Sequence, residues 1–183
     1  MFTKSICVFC GSRAGDDQAF VADATPLGAG IAARDWRLVY GAGDVGLMGA
    51  VATATQVAGG ETFGVIPIHL LEREVGKRDL SAFIVTENMH ERKKVMYMNS
   101  DAIVVLPGGA GSLDEFFEVL TWRQLGLHQK PVYLLNTAGY WDPLIALIDH
   151  VIDQGFAESS LKDYVSVVAD VETLTDSLRD ALS

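Results

Sequence analysis

Basic residues are scarce in this chain: 14 Lys and Arg stand against 24 Asp and Glu, for a formal net charge of -10. A nucleic-acid backbone or an anionic membrane needs a positive footprint, so neither is expected as the main partner, and any bound phosphate must be held locally. Long apolar runs are missing too. None reaches the roughly 18 residues of a membrane span, and the stretch after Lys4 is too short for a signal peptide, which makes the cytoplasm the expected compartment. Cysteine is limited to Cys7 and Cys10. Their C-x-x-C spacing falls inside an apolar, strand-like run, whereas redox pairs usually open a helix and zinc sites need further ligands; buried, reduced thiols are expected. The four histidines, His69, His90, His128 and His150, are scattered. His90-Glu91-Arg92-Lys93-Lys94 is not a zincin motif, because H-E-x-x-H requires histidine where Lys94 stands, and no metal is expected. Repeats, linkers and low-complexity segments are absent.

What is present suits one domain over residues 1–183, since 49% apolar composition supplies ample core. A mean hydropathy of +0.23 suggests apolar surface covered by a second copy, a homodimer. Short β-rich runs alternate with longer amphipathic stretches, the pattern of an α/β, Rossmann-like, doubly wound parallel sheet of about seven strands with helices on both faces. The expected strands are Ser5–Cys10, Arg37–Tyr40, Thr62–Ile66, Phe83–Thr86, Ala102–Leu106, Val132–Leu135 and Val165–Val168. Helices are expected around 17–34, 47–58, 89–99, 112–124, 141–154 and 171–182. Pro26 should kink or divide the first of them. Pro67–Arg78 shows no clean period and reads as a long connection bordering a site.

Ligands of such sheets bind beyond the carboxyl ends of the strands. Three loops there carry glycine: Gly11-Ser12, Gly41-Ala42-Gly43-Asp44-Val45-Gly46, and Pro107-Gly108-Gly109-Ala110-Gly111-Ser112. Glycines let backbone N–H groups approach an anion, and the helix that follows adds its positive end. Gly41, Gly43 and Gly46 also match G-x-G-x-x-G, but a dinucleotide site wants an acid ending the next strand, and Glu61 precedes that strand. The glycines could equally serve as tight turns with no ligand. Ser112-Leu113-Asp114-Glu115 admits two readings. One is a capping box in which Glu115 folds back onto the Ser112 N–H and has no catalytic role. In the other a phosphate occupies that helix end, adjacent acids would repel it, and one of them faces the sugar. The cluster at residues 90–94 reads either as a solvated charged face or as part of the same site.

Met89-His90-Glu91-Arg92-Lys93, Ser100-Asp101-Ala102 and Pro107–Glu115 together resemble the LONELY GUY family of cytokinin riboside 5′-monophosphate phosphoribohydrolases. The similarity extends to Cys7–Ser12, Val39-Tyr40-Gly41, Gly46–Gly49 and Thr121–Gly126. It implies a Rossmann-like homodimer that hydrolyses the N-glycosidic bond of N6-modified adenosine monophosphates, and often AMP, without a cofactor. Carried over by position, Arg92 and Glu115 form the catalytic pair. Glu74, Lys93, Gly109, Ala110, Gly111, Ser112, Leu113, Asp114 and Thr121 match positions lining the nucleotide site, with Gly11, Ser12, Gly43 and Gly108 in the glycine loops beside it. The lysine decarboxylase label borne by many relatives finds no support here, because that chemistry normally uses a lysine-bound pyridoxal phosphate. Departures from the family are Ser112 for a common threonine, Ala110 where some members carry an aromatic, and Gly-Ala-Gly for three glycines before Asp44; they bear on substrate preference.

Breaking a ribosyl C1′–N bond creates an oxocarbenium-like centre that a carboxylate can stabilise while activating water. Glu115, ionised, suits that role. Arg92 could fix Glu115, bind the phosphate, or favour charge on the departing base. Two other functions stay open at this stage: a non-catalytic nucleotide or cofactor carrier, and a nicotinamide-dependent oxidoreductase.

Overall fold

Every strand-forming run expected from the sequence pairs in the computed structural model, which describes residues 4–71 and 77–183. β1 (Lys4–Phe9), β2 (Trp36–Tyr40), β3 (Glu61–Pro67), β4 (Ala82–Thr86), β5 (Ala102–Val105), β6 (Val132–Leu135) and β7 (Ser166–Val168) form one parallel sheet in the order β4-β3-β2-β1-β5-β6-β7. The order reverses between β1 and β5, so the carboxyl ends of these two strands flank the switch point where such sheets bind ligands.

Successive residues of a strand face opposite sides of its sheet, and β1 divides accordingly. Ile6, Val8 and Cys10 pack with α1 (Gln18–Ala32), α2 (Gly46–Val57) and α7 (Val171–Leu182), while Cys7 and Phe9 pack with α4 (Met89–Met98), α5 (Ala110–Gln124) and α6 (Asp142–Asp153). Both thiols are free and buried, and burial pushes each well above the ordinary cysteine range. α1, α4 and α7 are capped by Asp17, Asn88 and Asp170, whose side chains accept from Ala19, Glu91 and Thr173 N–H. No helix among the described residues is long and apolar enough to cross a membrane.

Three differences from the sequence reading have physical causes. Pro26 does not divide α1, which runs unbroken through it. The residue sits on the exposed side of the helix, where the carbonyl that loses its N–H partner can turn to water. The short elements α3 (Ile68–Leu71) and the 3-10 turns Thr137–Gly139 and Ser159–Tyr164 were not anticipated, being too short to show a period. Finally, α5 starts at Ala110, two residues before the expected start.

α1 and α2 approach so closely that Thr55 Oγ1 donates to the Gly28 carbonyl at 3.2 Å. A Cβ at residue 28 would stand 2.3 Å from the Val51 carbonyl oxygen and 3.0 Å from the Ala54 Cβ. Gly28→Ala is therefore expected to cost about 1–2 kcal/mol net, overpacking outweighing the gain in helix propensity. A denaturant midpoint equal to that of the parent would show that the two helices separate freely.

Candidate active site

The glycine loops after β1 and β5 are stitched together across the switch point: Gly11 N–H donates to the Pro107 carbonyl at 3.0 Å. The Gly11 carbonyl accepts in turn from Leu47 and Met48 N–H at 3.2 and 3.3 Å, so the chain itself fills the N-terminus of α2. Gly46 (φ +63°) lets this happen, because a Cβ there would lie 2.4 Å from the Ser12 carbonyl carbon. The G-x-G-x-x-G sequence is thus used for packing one loop on another, not for presenting open N–H groups. α5 is different. Its cap residue is Gly109, no side chain caps it, and its first turn opens into a cavity of about 540 Å³. That volume falls within the range of about 300–1,000 Å³ usual for small-molecule sites. Gly11, Ser12, Gly41, Gly108, Gly109, Ala110, Gly111, Ser112, Arg92 and Glu115 all line it.

The early start of α5 removes the capping-box reading: Ser112 lies inside the first turn and cannot cap it. Glu115 is released to the cavity, where it is 8% exposed and makes no hydrogen bond or ion pair with any described residue. Burial pushes its carboxyl up to about 7; Arg92 opposes the rise and Asp114 adds to it. A capping arrangement of that kind occurs at α4 instead, with Asn88 accepting from Glu91 N–H and the Glu91 carboxylate accepting from the N–H of Glu87, one residue before the cap, at 2.9 Å.

Arg92 enters the same cavity from α4 and is 6% exposed. Its Nε donates to the Val65 carbonyl at 3.0 Å and its Nη2 to the Gly41 carbonyl at 2.7 Å, so the ends of β3 and β2 clamp the guanidinium. No direct ion pair joins it to Glu115. The solvated-face reading of residues 90–94 holds only for His90, Glu91 and Lys94, since Arg92 and Lys93 are buried.

Several residues assigned to the nucleotide site lie outside the cavity lining. Lys93 points to the flank of α5, with its Nζ 2.9 Å from Asp114 and 3.2 Å from Glu118. Leu113 and Asp114 are turned away from the cavity by the 100° step of the helix, which brings Ser112 and Glu115 to the cavity side instead. Thr121 is exposed nearly two turns further along, and Gly43 is set back behind Met48, whose sulfur would lie 3.1 Å from a Cβ there. Glu74 lies outside the described residues. Sequence reasoning missed Arg13, Phe20, Met89 and Tyr140, all of which line the cavity. Of these, Tyr140 follows a glycine just beyond β6, a position that a search of every strand's carboxyl end would have flagged. Leu70 also lines the cavity, so the aperiodic connection after β3 does border it.

No lysine lines the cavity among the described residues, so there is no group there to hold pyridoxal phosphate as an imine. Among them no three His, Cys, Asp or Glu side chains cluster as metal ligands.

Sheet order and cavity define a Rossmann-like α/β protein with an anion-ready helix end and a buried carboxylate at its switch point. Residues 48–178 match the family model described as possible lysine decarboxylase. The cytokinin riboside 5′-monophosphate phosphoribohydrolase LOG5 of Arabidopsis thaliana is 44% identical over 157 residues, 86% of this chain and 69% of that protein. LOG1 of the same plant, with the same activity in its name, is 40% identical over 177 residues, 97% of this chain and 83% of that protein. The chain belongs to this family, the LONELY GUY family. Among solved structures, the Moco carrier protein of Chlamydomonas reinhardtii is 25% identical with a TM-score of 0.74 over 98% of each chain. A molybdenum cofactor binding protein of Rippkaea orientalis, 23% identical with a TM-score of 0.76 over 100% of this chain and 99% of that one, shares the fold.

The buried carboxyl also affects stability. Its value of about 7 in the fold against 4.5 when solvated means that the folded state binds the proton more tightly. The associated stability is full below about pH 4.5, falls as pH rises through 7, and amounts to about 3 kcal/mol at most. Glu115→Gln, which cannot ionise, is expected to melt above the parent at about pH 8 and to lose that advantage by about pH 5. Equal melting temperatures at both pH values would mean that Glu115 is hydrated in the fold.

Proposed function

We propose that this protein hydrolyses the N-glycosidic bond of adenosine 5′-monophosphates, N6-modified or plain, to free base (cytokinin or adenine) and ribose 5-phosphate. The observation that carries the reading is Glu115, buried and without a partner among the described residues, in the cavity into which the uncapped N-terminus of α5 opens. The names of relatives 40 to 44% identical support it. In this reading the phosphate takes the N–H groups at residues 109–112, with Gly108, Gly11 and Ser12 around it, and the ribose lies over Glu115. Sheet order supports a place for Arg92 in this reading. Its anchor on Gly41 is two strands from Gly108, about 10 Å at the usual spacing, which suits the base end of a nucleotide rather than its phosphate. Ionised Glu115 takes a proton from water as the water oxygen bonds to C1′. The C1′–N bond breaks, and the base leaves with the electron pair, favoured by the guanidinium, and is then protonated from solvent.

We place the protein in the cytoplasm as a single-domain homodimer. Met98, Phe117, Leu125 and Leu127, exposed on α4, α5 and the turn that follows, would be covered by the second copy. The carriers that share the fold support a second reading, a nucleotide or cofactor carrier without turnover. Incubating the purified protein with AMP, isopentenyladenosine monophosphate and the matching nucleoside separates the two. Free base is expected from the monophosphates; none from any of them leaves the carrier, and equal release from the nucleoside contradicts a phosphate-anchored site.

Glu115→Gln should still bind AMP while turnover falls about 100- to 1000-fold. Because the carboxylate must be ionised, kcat/KM should fall as pH drops through about 7. A profile that instead rises on acidification would make Glu115 the proton donor.

A further inference from the structure

Tyr140 takes no part in the hydrolytic step, yet it reaches the anion loop from a strand that supplies no other group to it. Its hydroxyl donates to the Gly108 carbonyl at 2.6 Å. The tyrosine follows two residues in the left-handed region, Ala138 (φ +52°) and Gly139 (φ +73°), which turn the chain back toward the switch point just after β6. Such a conformation is costly for alanine and persists where surrounding structure requires it. Phe20 packs edge-on against the Tyr140 ring at 5.4 Å, Trp141 does so at 4.8 Å, and Phe20 and Tyr140 both line the cavity. The ring is thus fixed from two sides, and its hydroxyl is delivered to one carbonyl.

That carbonyl belongs to the peptide whose nitrogen is the Gly109 N–H. In a planar trans peptide the C=O and N–H point in opposite directions, so a carbonyl drawn toward β6 turns the Gly109 N–H the other way. Gly108 is confined on its remaining sides as well. A Cβ there would fall 2.0 Å from Ser112 Oγ and 2.9 Å from Gly11 N, so the Cα has little room to shift while Tyr140 holds the carbonyl. The helix end does not stand alone as a ligand site, because Glu115, more than nine-tenths buried and without a partner among the described residues, faces the same cavity.

We infer that Tyr140 is a positioning residue that latches the Gly108–Gly109 peptide, presets its N–H for the phosphate, and so makes the site select phosphorylated over unphosphorylated ligands. The inference rests on the phosphate placement proposed above and goes beyond it by naming the group that organises the loop. The latch is absent in Tyr140→Phe, which keeps the ring and its packing. Phe20→Leu alters the packing and keeps the hydroxyl.

Inorganic phosphate and AMP serve as probes, with binding followed by calorimetry and turnover by release of adenine. Tyr140→Phe is expected to weaken phosphate about five- to tenfold, the effect of one lost hydrogen bond, and to raise KM for AMP by a similar factor with kcat within about twofold. Phe20→Leu, which loosens the ring but keeps the hydroxyl, should weaken phosphate less than Tyr140→Phe does. Unchanged phosphate affinity in Tyr140→Phe overturns the latch, as does equal weakening in both variants, which would trace to general packing. The two proposals fail separately. If the parent releases no adenine yet binds phosphate, and Tyr140→Phe weakens that binding, the hydrolase reading falls and the latch stands; if adenine is released and phosphate affinity is indifferent to Tyr140, the reverse holds.

Discussion

A carboxylate held largely out of water, with no partner among the described residues, governs this site, and much of the surrounding structure keeps it so. Glu115 could have been neutralised by a direct ion pair with Arg92, a buried cation that lines the same cavity. The guanidinium is instead spent on the carbonyls of Val65 and Gly41, fixed in place by the ends of two strands. It therefore acts on Glu115 through space, opposing the rise that burial imposes without cancelling it. A paired carboxylate would be a poorer base, and an uncompensated one would stay protonated at neutral pH; the clamp sets the carboxyl between these limits.

The clamp depends on topology. Gly41 follows β2, Val65 lies in β3, Gly11 lies just beyond β1, Gly108 just beyond β5 and Tyr140 beyond β6, so the site gathers one contribution from each of five neighbouring strands. The backbone bond from Gly11 to Pro107 crosses the switch point and joins the two halves of the sheet, and the Gly11 carbonyl fills the α2 end. Of the two helix ends that a glycine loop leads into, one is thereby closed by the chain and the other left open. That asymmetry, more than the number of glycines, decides where an anion can sit.

The parallel sheet's seven strands and the main helices between them were legible because burial on both faces leaves near-continuous apolar strands and because Asp17, Asn88 and Asp170 mark helix starts. The start of α5 was not. Ser112-x-x-Glu115 has the letter pattern of a capping box, but the glycines before it allow the helix to begin two residues earlier, and a two-residue shift takes Glu115 from capping to the cavity. Arg92 and Glu115 were found through family resemblance; no spacing rule connects residues 92 and 115 across a strand. Tyr140 escaped because its part depends on backbone turns at Ala138 and Gly139, which alanine does not advertise.

Lys93 shows how a family position can matter without touching a nucleotide. Glu115 is flanked on its helix by Asp114 and Glu118, and both push its carboxyl upward. Lys93 bonds to both of these acids, and burial, which alone would lower the Lys93 ammonium, is outweighed by those bonds. The ammonium spans the two neighbours on the flank of α5 and screens Glu115 from them. In a chain that carries ten more negative than positive charges, such local neutralisation adds to the larger effect of Arg92 in letting a third carboxylate, 92% buried, ionise near neutral pH. The acidity of the protein as a whole and the anionic character of its proposed substrate are therefore compatible, because the balance that matters is struck locally, between α4 and the first turns of α5.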